Sequence, residues 1–288
     1  MPKFLVAGAT GKQGGATVKA LVEHNAKSTT TTPVEIFGIT RDPSSDKALA
    51  VAALPNVTLV KGNLSSVEDI TAIYEKYGPF DGAFSIQETF IPDEVEQGST
   101  FADLAVKYGV KRFVYTGGDL SGLSPSPLPF FETKRQIELH IHTLPLGWTI
   151  IRPPAFYENF FVNMGYDWGK GVYSVLSDET PLKQISSADI GQIAASILLE
   201  ESTKHFKQTY SIAGSDVTKK QAYEALAAKG IEFEKDEDAA NNIPGPLLFV
   251  FQFMNDHPWE ASVEETKKNF PFVRSISEWL ETDYKASA

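Results

Sequence analysis

A chain of 288 residues, 42% apolar and 22% charged, is long enough for one or two domains with a sizeable core. Its net charge of −11 offers no basic field to hold a nucleic-acid backbone, and the absence of cysteine excludes disulfides, thiolate metal sites, cysteine nucleophiles and thiol redox switches. The longest apolar-rich run, residues 247–254, falls far short of the roughly 20 residues of a membrane span.

The N-terminal residues Met1-Pro2-Lys3 lead directly into an apolar run, with no charged leader or cleavage site. A cytoplasmic protein is expected, with the nucleus as a second compartment. Strands are expected at residues 4–7, 34–40, 57–61, 82–86 and 112–116, most of them nearly continuous apolar runs. Helical spacing appears between them at 13–24, 67–77 and 101–108. This alternation predicts a parallel sheet with helices on both sides. Residues 27–33, a threonine-rich insert ending in proline, read as an exposed loop. A sixth strand at 148–152 is ended by Pro153-Pro154.

Beyond residue 153 the alternation loosens. A helix is expected at 187–200, with Ser187 as its N-cap and Ile190, Ile193, Ala194, Ile197 and Leu198 on one face. A strand follows at 208–213. Thr218 with Gln221, and Ser275 with Glu278, form capping-box patterns ahead of two more helices. The expected organisation is a nucleotide-binding domain over 1–152 and a smaller α+β lobe over 153–288, interleaved with the last strands of the sheet.

The main chemical signal is Gly8-Ala9-Thr10-Gly11-Lys12-Gln13-Gly14, directly after the first strand and opening a helix. Gly8 allows the turn, Gly11 lets the backbone approach a pyrophosphate, and Gly14 permits close packing of helix on strand. The helix N-terminus offers free N–H groups to the phosphates. In this context the glycines predict a Rossmann doubly wound sheet and a bound dinucleotide. The second strand ends Thr40-Arg41-Asp42-Pro43. Arg41 can take a 2′-phosphate bidentately and stack on adenine, which selects NADP(H), with Lys47 adding charge; Asp42 would serve NAD if the turn shifted by one residue. Asn63 stands either at the adenine edge or as a turn residue. Ser85, Ile86 and Gln87 end the fourth strand, where ligands of open α/β sheets gather.

The glycine spacing resembles that of the extended and atypical short-chain dehydrogenase/reductases. Together with Thr40-Arg41-Asp42-Pro43, the stretch 131–138 containing Lys134, Pro153-Pro154-Ala155-Phe156-Tyr157-Glu158-Asn159, and Ile-Ser-Glu-Trp-Leu-Glu at 276–281, it resembles the NmrA-like family over nearly the whole chain. The resemblance implies either an NADP(H) sensor acting through a protein partner, or an NADPH-dependent reductase of a small apolar or aromatic substrate. It also implies that Phe156, Tyr157, Glu158 and Asn159 form the nicotinamide-side loop. The superfamily's Ser–Tyr–Lys device places tyrosine four residues before lysine. Here that position is Phe130, and the fifth strand ends in Thr116 where the serine is expected. Lys134 then has three readings: a ribose ligand, the catalytic acid or base itself, or a solvated lysine on an amphipathic helix. Residues 243–254, with phenylalanine at alternate positions, read as a buried helix, an apolar lid over the nicotinamide, or a partner surface. No metal is expected, since the five histidines are scattered. Asp119 reads as a solvated loop residue or a substrate contact.

Overall fold

Phe4, Leu5 and Val6 are each at most 1% exposed, so the first strand is covered on both faces and its apolar run needs no alternation. The computed structural model describes residues 1–27 and 33–284. Most of the threonine-rich insert, residues 28–32, lies outside the described residues.

In chain order the elements are β1 (Lys3–Val6), α1 (Lys12–Lys27), β2 (Glu35–Thr40), α2 (Asp46–Ala52), β3 (Val57–Lys61), α3 (Val67–Tyr77), β4 (Gly82–Ser85), α4 (Glu94–Lys107), β5 (Arg112–Thr116), α5 (Pro129–His142) and β6 (Gly147–Arg152). They continue with β7 (Ala155–Phe156), a 3-10 turn (Tyr157–Phe161), α6 (Trp168–Val175), β8 (Pro181–Ile185), α7 (Ser187–Leu199), β9 (Gln208–Ser211) and β10 (Ser215–Thr218). The last helices are α8 (Lys219–Ala227), α9 (Ala239–Asn242), α10 (Gly245–Asp256), α11 (Val263–Asn269) and α12 (Ile276–Thr282).

The chain divides into two units. The first comprises Met1–Gly118, Pro125–Ile151 and Ala188–Tyr210; the second comprises Asp119–Ser124, Arg152–Ser187 and Ser211–Ala288. The first unit thus recovers α7 and most of β9 from beyond residue 152, because these segments complete the layered sheet. That sheet runs β3-β2-β1-β4-β5-β6-β9, and each neighbouring pair from β3 to β6 is parallel. This is the expected Rossmann-type α/β sheet. Sequence order reverses at β1, which lies between β2 and β4, and a reversal of this kind opens a crevice at the strands' carboxyl ends.

Leu5, Ala7, Ile39, Phe113 and Ile150 share one core with Ile70, Tyr74, Phe101 and Ile137 of α3, α4 and α5. The adjacent residue Phe4 points the other way: it and Leu198 of α7 both crowd Gly82, where a Cβ would stand 2.8 Å from Leu198 and 3.0 Å from Phe4. Two helix pairs meet at glycine. A Cβ on Gly98 of α4 would lie 2.6 Å from Ile137 of α5, and one on Gly191 of α7 would lie 2.4 Å from the backbone of Ala16 in α1.

In the second unit, β10-β8-β7 form a three-stranded sheet. Both expected capping boxes are present, at Thr218/Gln221 and Ser275/Glu278. The segment with alternate phenylalanines is the helix α10, which buries Leu247, Val250, Phe251, Phe253 and Met254. Phe251 meets Trp168 edge-on at 5.0 Å, so most of this segment is core of the second unit, while Phe249 stays 47% exposed.

Asp119 fits neither of its sequence readings. It is fully buried, and its carboxylate accepts backbone N–H groups from Ser121, Glu260 and Ala261 at 2.8–3.0 Å. Asp119→Asn is expected to cost about 1–3 kcal/mol, because the new amide N–H₂ must face a buried N–H donor. The urea midpoint measures this.

Candidate functional site

Two glycines of the first turn, Gly8 and Gly14, have a backbone reason. Gly8 adopts φ +62°, which a side chain rarely tolerates, and its carbonyl accepts the N–H of Gly11 at 2.8 Å. A Cβ on Gly14 would lie 2.2 Å from Gly8 O and 2.5 Å from Ala7 O, so only glycine lets α1 start this close to β1. The first turn of α1 carries no acidic residue to oppose its positive end.

This turn forms one wall of a cavity of about 420 Å³ within the first unit. Gly8, Thr10, Gly11, Lys12, Gln13 and Gly14 line it, with Arg41 after β2, Asn63 after β3, and Ile86 and Gln87 after β4. Ser85, Thr116 and Lys134 do not line it. Lys47 sits on α2, away from the lining.

Gln87 is 4% exposed. Its Nε2 donates to Ser85 Oγ at 3.0 Å, and its Oε1 is buried without a partner. A buried acceptor left unpaired costs about 1–3 kcal/mol. Gln87 thus brings an unsatisfied acceptor to the cavity wall. The glycine cradle and this orphaned oxygen together fit a dinucleotide.

Asn63 is exposed and does turn work: its Oδ1 accepts Ser65 N, and its own N–H donates to Asp69. Beside it Gln97 Nε2 donates to Ser65 Oγ at 2.8 Å and to Asp93 at 3.0 Å. Hydrogen bonds from Ser65 and Gln97 lower the Asp93 carboxyl below its ordinary value. Ser65, Asp93 and Gln97 all line the cavity. Asp42 does not. Its Oδ1 accepts both the N–H and the hydroxyl of Ser44, and the hydroxyl contact is the main reason its pKa is lowered. Arg41, not Asp42, therefore faces the cavity, and its Nη1 lies 3.2 Å from Glu88 Oε2.

Deeper along β5, Thr116 Oγ1 donates to Gln13 Oε1 at 2.7 Å. Lys134 is 9% exposed, and its Nζ lies 2.7 Å from Glu94 Oε1; Glu94 is 1% exposed. Thr133 donates to the other oxygen of Glu94 at 2.8 Å. Lys134 is therefore one half of a buried ion pair, which removes the solvated-lysine reading. Tyr115, fully buried and with an unpartnered hydroxyl, has its pKa driven well above 10 by burial and by the charges of Glu138 and Glu94.

A family model for the NmrA-like family matches residues 2–237. The chain belongs to the NmrA-like family. Among its curated relatives is the NmrA-like family domain-containing oxidoreductase malD of Malbranchea aurantiaca, 28% identical over 225 residues, covering 70% of this chain and 65% of that protein. Another is the oxidoreductase ptmS of Penicillium ochrochloron, 28% identical over 248 residues, covering 78% of this chain and 71% of that one. The chain thus spans about two thirds of these relatives' length. Among solved structures, the negative transcriptional regulator NmrA in complex with NAD superimposes with a TM-score of 0.76 at 17% identity, covering 98% of this chain and 95% of that one. The NADPH-dependent quinone oxidoreductase QOR2 of Escherichia coli, complexed with NADPH, gives 0.75 at 18% identity, with 96% and 98% covered. Both show that the NmrA-like chain has their fold.

The NmrA-like loop at 156–159 lies in the second unit, and two of its residues are engaged there. Tyr157 is fully buried; its hydroxyl meets Ser215 Oγ at 2.8 Å and donates to Arg274 O at 3.1 Å. Such a side chain packs a core and does not face a ligand. Glu158 Oε1 accepts the N–H and the hydroxyl of Ser187, which occupies the position expected of an N-cap but is the first residue of α7. Phe156 and Asn159 are half-exposed. Glu88, Asp93, Glu94 and Gln97 were not anticipated from sequence. The expected helix at 101–108 begins seven residues earlier, at Glu94. Among the described residues, no metal-binding group of three or more acidic or histidine side chains forms, and no helix is long and apolar enough to cross a membrane.

Proposed function

We propose that this NmrA-like chain binds NADP(H) and acts as a sensor of cofactor occupancy through a protein partner, with little or no turnover. The supporting observation is that all three positions of the superfamily's proton-transfer device are committed or missing. Thr116 spends its proton on Gln13, Phe130 has no ionisable group, and Lys134 is paired with Glu94. Tyr115 offers no substitute, being fully buried with a raised pKa. NADPH supplies a hydride when bound; Phe130 has no proton to give with it, the Thr116 hydroxyl is turned to Gln13, Lys134 is held by Glu94, and the Tyr115 hydroxyl is sealed in the core.

In this reading Gly8–Gly14 holds the pyrophosphate, Arg41 the 2′-phosphate and Gln87 a donor of the cofactor. Asn63 stands near the base, and the Lys134 ammonium, steadied by Glu94, serves ribose hydroxyls. Occupancy then sets the loops after β2 and β4, and a partner reads their arrangement. The net charge of −11 favours a protein partner over direct contact with DNA.

The oxidoreductase names of malD and ptmS favour a second reading, an NADPH-dependent reductase using Lys134. Steady-state NADPH oxidation separates the two. The sensor reading expects no rate above background with quinones, enones or aromatic carbonyls. Sustained oxidation that disappears in Lys134→Ala would establish the reductase instead.

A further inference from the structure

Arg41 has company on the cavity wall. Its guanidinium lies 3.2 Å from the carboxylate of Glu88, and both residues line the cavity. Arg41 follows β2 and Glu88 follows β4, so the ion pair joins the loops after the two strands that flank β1. Both side chains are well exposed, at 74% and 57%. Exposed pairs of this kind add little stability, so packing does not explain this one. Its consequence lies in what Arg41 can bind.

A 2′-phosphate carries between one and two negative charges and seeks the same guanidinium edge. Glu88 must then give up Arg41 or share it with a like charge. A 2′-hydroxyl brings no such conflict, since it is uncharged and a carboxylate can accept its hydrogen bond. We propose that Glu88 is a specificity-determining residue that competes with the 2′-phosphate for Arg41 and narrows the preference for NADP over NAD. The inference rests on the reading of Arg41 given above. It assigns the two carboxylates near Arg41 different roles: Asp42 is turned into its own loop by Ser44, while Glu88 stands at the cavity. For a sensor this balance has a use, because a site that binds both nucleotides within a modest ratio responds to their relative amounts.

The test is calorimetric titration of wild type, Glu88→Gln and Arg41→Ala with NADP and with NAD, after thermal melts confirm that each protein is folded. Glu88→Gln is expected to tighten NADP about two- to fivefold, the scale of an exposed ion pair, and to leave NAD unchanged or weaker. Arg41→Ala is expected to weaken NADP more than NAD. If Arg41→Ala behaves so while Glu88→Gln leaves the NADP/NAD ratio unchanged or lowers it, the role of Glu88 is overturned and the Arg41 reading stands. If Arg41→Ala weakens both nucleotides equally, the 2′-phosphate assignment fails, and the role of Glu88 fails with it.

Discussion

Replacing Glu94 with alanine is expected to cost about 3–5 kcal/mol of folding stability. The reason is the charge left behind. The Lys134 side chain is 11% exposed and Glu94 1% exposed, so the ammonium would keep no carboxylate and little water. Thr133 would lose this acceptor too and keep only the carbonyl of Phe130, at 3.1 Å. A loss of this size is a large part of the roughly 5–15 kcal/mol that holds a typical domain together. Glu94→Gln keeps the shape and one acceptor and should lose less. The double variant Glu94→Leu/Lys134→Met removes both charges and should recover most of the stability, since apolar residues of similar volume often replace a buried ion pair without loss. Urea unfolding midpoints give the answer. A Glu94→Ala protein within about 1 kcal/mol of wild type would mean that the pair does not form, and the argument that Lys134 is committed would fall with it.

Gly14→Ala is expected to weaken dinucleotide binding at least about tenfold, or 1.4 kcal/mol, and to destabilise the first unit. The added Cβ would stand 2.2 Å from Gly8 O and 2.6 Å from Gly8 C, atoms of the turn's own backbone that have no rotamer to escape into. Either α1 moves away from β1 or the turn changes shape, and both alter the N–H groups offered to a phosphate. Gly11→Ala provides the contrast. Its Cβ would meet Gly8 O at 3.2 Å, a contact that small adjustments relieve. Gly11 is exposed and lines the cavity, so its methyl would obstruct the ligand. This variant should melt near wild type and still bind nucleotide poorly. Equal binding by Gly11→Ala and wild type would remove the pyrophosphate from this turn.

Much of this was legible in the residues, for reasons that can be named. The turn at 8–14 was, because backbone geometry demands glycine at positions 8 and 14. Arg41 was, because it ends a strand beside the switch point. The capping boxes at Thr218 and Ser275 were, because they are complete within four residues of chain. Contacts across long separations were not. Glu94 reaches Lys134 across 40 residues and Thr133 across 39, and no local period encodes either. Residues 94–100 precede the expected helix, yet they form the first turns of α4, which packs closely on α5 at Gly98. Tyr157 misled in the opposite direction: a polar aromatic in a ligand-loop motif is here a core residue whose hydroxyl ties Ser215 to the carbonyl of Arg274. Asp119 shows the same effect, since three backbone donors bury a carboxylate that its neighbours in sequence would leave in water.

On the proposed function, the cavity lined by the Gly8–Gly14 turn and Arg41 holds NADP(H). Calorimetric titration of the wild-type protein with NADPH, NADP and NAD under one salt condition tests it most directly. One NADP(H) per chain is expected to bind saturably, and more tightly than NAD. Absence of saturable binding, or NAD binding more tightly than NADP(H), would contradict it.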